Sequence, residues 1–226
     1  MSDPVHIFGL PFSTFVRSVM LCCEEISREQ NSNEESKLKY TVGLSMGDKT
    51  IELKSADHFD LQPFGKYPVL IDGSIKIFET ASICRYLDEK FGGTLLQSTE
   101  LNQKTMIDQW SAAIASYVDK TLVRDYLLEF AFPRGKEGRI RMEVIADVEP
   151  QVINILEKLE LLLADKAFIC SKQYSIADAL LIPILDYLFF LPVSDKLFNS
   201  TPGLKSYIQR MQKRPSSIKV LTHRTK

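Results

Sequence analysis

One change of hydrophobic period, near Gly93, constrains this chain more than any other feature. Before it, "VHIFGL", "KYTVGL", "YPVLIDG" and "SIKIF" are short β-branched and aromatic runs bounded by Gly, Pro, Asn and Asp, with two helical stretches between them. After it, "LNQKTMIDQWSAAIASYVDKTLVRDYLLEFAF", "GRIRMEVIADVEPQVINILEKLELLLAD", "SIADALLIPILDYLFFL" and "GLKSYIQRMQKR" carry apolar residues at helical spacing. An α/β unit over residues 1–93, a linker at 94–101 and an all-α unit over 102–226 are therefore expected. In the connecting segment, Gly92 and Gly93 suit the end of one helix, and Ser98 or Thr99 suits the cap of the next. There is no internal repeat. The polar stretch "SREQNSNEESK", residues 27–37, reads as a surface loop with little apolar content to fold around.

Charge and composition narrow the partners. With 28 basic against 29 acidic residues the formal charge is −1, so no excess attracts a polyanion and nucleic acid is not an expected ligand. No apolar run approaches the ~18 residues that a membrane span needs. The start "MSDPVHIFGL" lacks a basic region followed by an apolar core and cleavage site, so a cytoplasmic protein is expected. Four cysteines form neither a CxxC pair nor a zinc spacing, and they sit in apolar, helix-like runs as reduced core thiols.

The densest signal is "LQPFGKYPVLIDGSIKIFETASICRYL", residues 61–87. Pro68 opens an apolar strand, where its missing N–H is tolerated. On local grounds Tyr67-Pro68 is an ordinary trans start; a cis bond, the alternative after an aromatic residue, would turn the Tyr67 N–H and C=O outward. Asp72-Gly73 suits the positive φ angles of a tight hairpin. Thr80 can cap the helix that follows, whose unpaired N–H groups suit a carboxylate, while Glu79 suits an ammonium. Both ends of an amino acid could be held there. Further on, Ser175 and Asp178 in "SIADAL" form a capping-box variant worth about 1 kcal/mol, a folding element with no catalytic part.

These residues carry a resemblance. "GKYPVLIDGSIKIFETASICRYL" resembles the G-x-[VI]-P-x-L-x-D-G…[LI]-x-E-S-x-A-I-x-x-Y-[LI] segment of cytosolic glutathione transferases. "SIADALLIPIL" is similar to the family's S-x-x-D helix start and "RMQKRPS" to its closing helix. The departures are Thr80 where Ser is commoner, which keeps the hydroxyl, and Lys66 where Gln is commoner. The resemblance implies a thioredoxin-like amino-terminal domain followed by an all-helical domain, glutathione as co-substrate, no metal, and a homodimer. It also implies conjugation of the glutathione thiolate to small hydrophobic electrophiles as a detoxification reaction, with peroxidase activity towards organic hydroperoxides a further expectation.

The family activates the sulfur with a Tyr, Ser or Cys at the first strand–helix junction. "PFSTFVRSV" is similar to the serine-type, phi-like pattern S-x-x-x-R-x-V, which implies Ser13 as the hydroxyl donor, with Thr14 the rival. Ser13 would equally serve as the N-cap of the same helix, and Arg17 is read as structural. The resemblance places the γ-glutamyl end on Glu79 and Thr80 and the cysteinyl main chain on Tyr67 before Pro68. Lys54 receives the glycine carboxylate, at the family's distance from Pro63. The histidine expected beside it is Leu53 here, and Lys66 compensates. On the long helix from Leu101, the stripe Trp110, Ile114, Tyr117, Thr121 and Arg124 is by default core, but Tyr117 and Arg124, with Phe12, are the candidates for the electrophile site. Phe64 stands where family members carry an aromatic key to a partner subunit, and it could equally anchor its own loop. The tail "KVLTHRTK" reads as a solvated end. The competing classes are a non-catalytic glutathione-fold binding or regulatory protein, and a thiol reductase, which the lack of a cysteine near Ser13 disfavours.

Overall fold

The computed structural model describes residues 3–30 and 38–222. In chain order, β1 (Val5–Phe8) leads into α1 (Thr14–Gln30) and β2 (Tyr40–Gly43); β3 (Ser45–Met46) and β4 (Lys49–Thr50) make a small hairpin. Then come α2 (Ala56–Leu61), β5 (Val69–Asp72), β6 (Ile75–Phe78) and α3 (Thr80–Leu87). The sheet order is β2-β1-β5-β6, with β1 parallel to β2 and antiparallel to β5. This is the thioredoxin-like arrangement, followed as expected by a helical half.

The helical half begins with α4 (Leu101–Ala113), which runs unbroken into a wide, π-type segment, Ile114–Leu127, and into α5 (Leu128–Ala131). After it come α6 (Met142–Leu163), α7 (Ile176–Phe189), the short α8 (Ser194–Leu197), α9 (Pro202–Gln212) and α10 (Pro215–Val220). Among the described residues no helix is long and apolar enough to cross a membrane.

Two helices organise the packing. On α1, Val16, Val19, Leu21, Cys22, Cys23 and Ile26 are buried, and the helix packs against α3, α7 and α10. On α7 the residues from Ile176 to Leu188, Tyr187 excepted, are buried on every face, so α7 is the centre of the helical half. Each fully buried Val, Leu or Ile contributes about 1.5–3 kcal/mol of hydrophobic stabilisation. All four cysteines are free and buried; burial drives the Cys22 and Cys23 thiols well above their ordinary value and Cys170 up to about 12.

Several local expectations are corrected. The helix α1 continues to Gln30, so residues 27–30 are not loop, and the remainder of that polar stretch, 31–37, lies outside the described residues. Gly73 alone takes a positive φ in the β5–β6 turn, because the strand ladder extends through Asp72. Neither Ser98 nor Thr99 caps α4: the Glu100 carboxylate accepts from the Asn102 and Gln103 N–H groups, and Ser98 Oγ receives the Glu100 N–H. Thr80 is the first residue of α3 and not its cap. In the tail, Lys219 pairs with Glu24 and Val220 and Leu221 are buried, while residues 223–226 lie outside the described ones.

The Ser175–Asp178 capping box is present and does more than cap. Asp178 is fully buried, and its carboxylate also accepts from the Ile169 N–H at 2.9 Å and from Tyr207 O–H at 2.8 Å, so it ties α7 to α9 and to the loop before α7. Asp178→Ala leaves four buried donors without this acceptor, the Ile169 and Ser175 N–H groups and the Ser175 and Tyr207 hydroxyls, each costing about 1–3 kcal/mol where it finds no other partner, so a loss of about 3 kcal/mol or more is expected in urea unfolding.

Candidate functional site

The site grows from the end of β1. Gly9, at φ 150, donates its N–H to Gly43 O at 3.0 Å. A Cβ there would lie 2.6 Å from Val16 Cγ2 and 3.2 Å from Tyr67 Cβ, so only glycine lets the loop 10–13 turn this close to α1 and β5. That loop closes when Ser13 N–H donates to Leu10 O at 2.9 Å. Ser13 C=O then accepts the Arg17 N–H at 2.9 Å and opens α1. No hydrogen bond joins Ser13 Oγ to another described residue, so its hydroxyl is not spent on capping. The partial positive charge of the helix start lies beside it. Thr14, one residue on, is more enclosed, at 7% exposed.

Two cavities meet in front of this junction. The first, about 510 Å³, is lined by Phe12, Ser13, Thr14, Lys54, Lys66 and Arg124 among others. The second, about 550 Å³, is lined by Pro68, Glu79, Thr80 and Ser82, with Asp108 and Ala112 from α4 on its far side. Lys66, Tyr67 and Arg124 line both, so the two spaces form one groove between the halves. Burial pushes the Tyr67 phenol up from its ordinary value, and the Arg124 charge opposes that rise. Arg124 itself is held by Asp119, through Nε at 2.8 Å, and lies over the Phe15 ring.

The backbone around the groove is unusual at three places. The Tyr67-Pro68 bond is cis, in place of the trans start that local sequence favours. Lys54 and Glu79, neither of them glycine, adopt φ values of 67° and 68°. Residues held in such sparsely populated conformations cluster at ligand sites.

Of the residues singled out from sequence, Phe12, Ser13, Lys54, Lys66, Tyr67, Pro68, Glu79, Thr80 and Arg124 line the groove. Tyr117 does not: it lines neither cavity and is 73% exposed, while Ile114 from the same stripe is wholly buried. Arg17 has the structural role expected of it. It is 3% exposed, donates to Pro11 O at 3.3 Å and Thr222 O at 2.7 Å, and stacks 4.6 Å over the Tyr187 ring.

Sequence reasoning missed three contributors. Tyr187, read only as part of an apolar helix, donates its O–H to Phe12 O at 2.7 Å and lines the first cavity. His58 and Gln62 are buried polar residues of the α2 region that brace the loops carrying Lys54 and Lys66. A polar side chain on a short helix was the available signal for both. Leu127, Leu128, Ala131 and Phe132 supply the apolar wall of the first cavity.

The loop after Phe132 is fastened by Glu129. Its carboxylate accepts from the Arg141 N–H at 2.9 Å, the Arg141 guanidinium at 2.6 Å and the Arg134 N–H at 3.4 Å. The Arg141 side chain foremost, then these N–H groups, draw the Glu129 carboxyl from 4.5 down to about 2. A carboxyl lowered on folding contributes stability in full above its unfolded value, and the contribution is lost as pH falls through the folded one. Wild type is therefore expected to exceed Glu129→Gln in unfolding free energy near neutral pH, the gap closing between 4.5 and about 2, as read from urea titrations across that window.

The fold and the groove define a thioredoxin-like half joined to a helical half, with an ionic and hydroxyl-bearing cleft at the seam. Comparison with known proteins narrows this further. The model of the glutathione S-transferase N-terminal domain matches residues 34–89, and that of the C-terminal domain matches residues 123–215. The chain is 27% identical over 221 residues to the probable glutathione S-transferase GSTF1 of Oryza sativa subsp. japonica, covering 96% of this chain and 95% of that one. It is 27% identical over 228 residues to glutathione S-transferase F6 of Arabidopsis thaliana, covering 96% and 99%. Its fold superposes on glutathione transferase F2 from Populus trichocarpa with a TM-score of 0.78 at 26% identity, covering 96% and 97%. The theta class enzyme of Xanthomonas axonopodis pv. citri, with glutathione bound, shares the fold at a TM-score of 0.81 and 22% identity over the whole of both chains. The chain belongs to the glutathione S-transferase family.

Proposed function

We propose that this protein conjugates glutathione to small hydrophobic electrophiles, with Ser13 as the donor that holds the sulfur as thiolate. The observation that carries the reading is the continuity of the groove. Lys54, Lys66 and Ser13 line one end, Glu79 and Thr80 the other, and Tyr67 lies between them in both cavities. A tripeptide laid along it meets a charged partner at each terminus. Glu79 takes the γ-glutamyl ammonium, and Thr80, at the start of α3, takes its carboxylate. The Tyr67 main chain before Pro68 pairs with the cysteinyl residue, and the lysines take the glycine carboxylate. The sulfur then faces Ser13, with Phe12, Phe132 and Arg124 around the space left for the electrophile.

An unperturbed thiol titrates near 8.5, so at neutral pH most of it is protonated and unreactive. A hydroxyl donating to the sulfur and the positive start of α1 both favour the anion. Lowering the thiol by about two units corresponds to roughly 2.7 kcal/mol, within reach of one charge-assisted hydrogen bond and a helix terminus together. Ser13 acts as a donor and not as a nucleophile. The thiolate sulfur forms the new bond to the electrophilic carbon, which either expels a leaving group with its bonding pair or opens a π bond or strained ring whose electron pair then takes a proton from solvent; the thiol proton has already left to solvent. With a hydroperoxide in place of the carbon electrophile, two glutathione molecules become the disulfide while the peroxide becomes alcohol and water. The setting is detoxification in the cytoplasm.

Ultraviolet absorbance of bound thiolate against pH tests this against a binding protein without catalysis. In wild type the bound thiol is expected well below 8.5; in Ser13→Ala it returns towards that value and kcat/KM falls by about a hundredfold, the scale of losing one positioned donor. Thr14→Ala is expected to change kcat/KM only a few-fold. Turnover abolished by Thr14→Ala alone would reverse the assignment, and a wild-type thiol near 8.5 would leave only the binding protein.

The same reading includes a homodimer. Phe64 is 68% exposed, with its ring edge-on to Phe78 at 6.4 Å, so its side chain is offered outward and does not anchor its own loop beneath the surface. Sedimentation of the wild type as a dimer, shifted towards monomer by Phe64→Ala, is the expected result; an unshifted dimer would remove Phe64 from the interface.

A further inference from the structure

One buried imidazole joins the two loops that carry Lys54 and Lys66. His58 on α2 is wholly buried. The Lys54 backbone N–H donates to its Nδ1 at 2.9 Å, and its Nε2 lies 2.9 Å from the Lys66 carbonyl oxygen. A carbonyl can only accept, so Nε2 carries the proton; Nδ1 receives a donor, so it is bare. The neutral Nε2–H tautomer is thus the one form that makes both bonds, and a proton on Nδ1 would set two donors against each other.

The ring has little room to turn. Phe8 and Phe59 lie 5.1 and 6.3 Å away, and Ser55 Oγ accepts the His58 N–H at 3.3 Å. The loops it joins need holding. Lys54 is at φ 67, and the Lys66 loop turns at Gly65, φ 59, where a Cβ would come within 2.9 Å of the Phe59 ring. Buried Gln62 completes the clamp, its Oε1 accepting from the Phe64 and Lys66 N–H groups at 2.7 and 3.0 Å.

We propose that His58 is a positioning residue for the glycine end of glutathione: its neutral tautomer sets the separation of the two lysine-bearing loops that receive the glycine carboxylate. This rests on the reading of Lys54 and Lys66 as holders of that carboxylate. His58 touches the first cavity, but both ring nitrogens are taken by main chain, so it acts through the lysines and not on the ligand.

The test compares glutathione with its glycine monoethyl ester, which lacks only the terminal negative charge. Wild type is expected to prefer glutathione by about tenfold or more in KM, the worth of one charged contact. His58→Phe keeps a ring of similar size and loses both bonds. It is expected to raise KM for glutathione until the preference largely disappears, with KM for the ester and kcat for both little changed. A general structural role would move both substrates together. His58→Asn, which keeps an acceptor near Nδ1, and His58→Gln, which reaches towards Lys66 O, should each recover part of the preference, and they carry the same measurement if the Phe variant does not fold. Nitrogen NMR on the wild type, which has only three histidines, should show one imidazole fixed as the Nε2–H tautomer. A preference retained in every His58 variant, or a fixed Nδ1–H tautomer, overturns the inference alone. A wild type indifferent to esterification removes the lysine reading, and the inference with it.

Discussion

The structure depends first on the burial of α1 along its length. Its apolar face, from Val16 to Ile26, packs under the sheet and against α3, while α7 closes on it from the helical half. Its polar residues are tied down as well: Arg17 to Thr222, Glu24 to Lys219 and Glu25 to Arg214 at 3.0 Å. Because both halves pack on one helix, the start of that helix is fixed at the seam between them. The hydroxyl of Ser13 and the positive end of the helix dipole are therefore set where the two cavities meet, whatever ligand arrives.

Around that rigid element the groove is built from loops, and loops need bracing. Three of the side chains that line it sit on backbone that an ordinary strand or helix would not provide: Tyr67 beside a cis proline, and Lys54 and Glu79 at positive φ. The braces are buried polar side chains with every visible bond directed at main chain, as in His58 and Gln62. Breaking one partner of such a buried pair costs more than the bond is worth in isolation, since the other partner is left desolvated. This gives loops the positional precision usually supplied by strands.

The helical half shows where periodicity arguments stop. The segment Ile114–Leu127 forms ion pairs five residues apart, Asp119 with Arg124 and Lys120 with Asp125 at 2.7 Å, where an α-helix would favour spacings of three or four. Arg124 reaches the groove while Tyr117, expected on the same face, lies exposed outside it. No residue type in "IASYVDKTLVRDYL" announces that winding. Both α6 and α7 pack against the segment.

The four strands of the main sheet with the helices between them, the change from mixed to helical architecture, the capping box of α7 and most groove residues were readable from the chain, because each rests on local chemistry: period, turn residues, caps and a dense family motif at residues 65–87; the β3–β4 hairpin and α8 were not. That Glu100 and neither Ser98 nor Thr99 caps α4, that α1 runs on through Ser27 to Gln30, and the isomer at Tyr67-Pro68 were not, since alternatives of similar local energy are chosen by the neighbours they meet. The clamp of His58 across Lys54 and Lys66, the reach of Tyr187 to Phe12 and the displacement of Tyr117 belong to tertiary structure alone. Each joins or separates elements whose relative placement only the packed core decides.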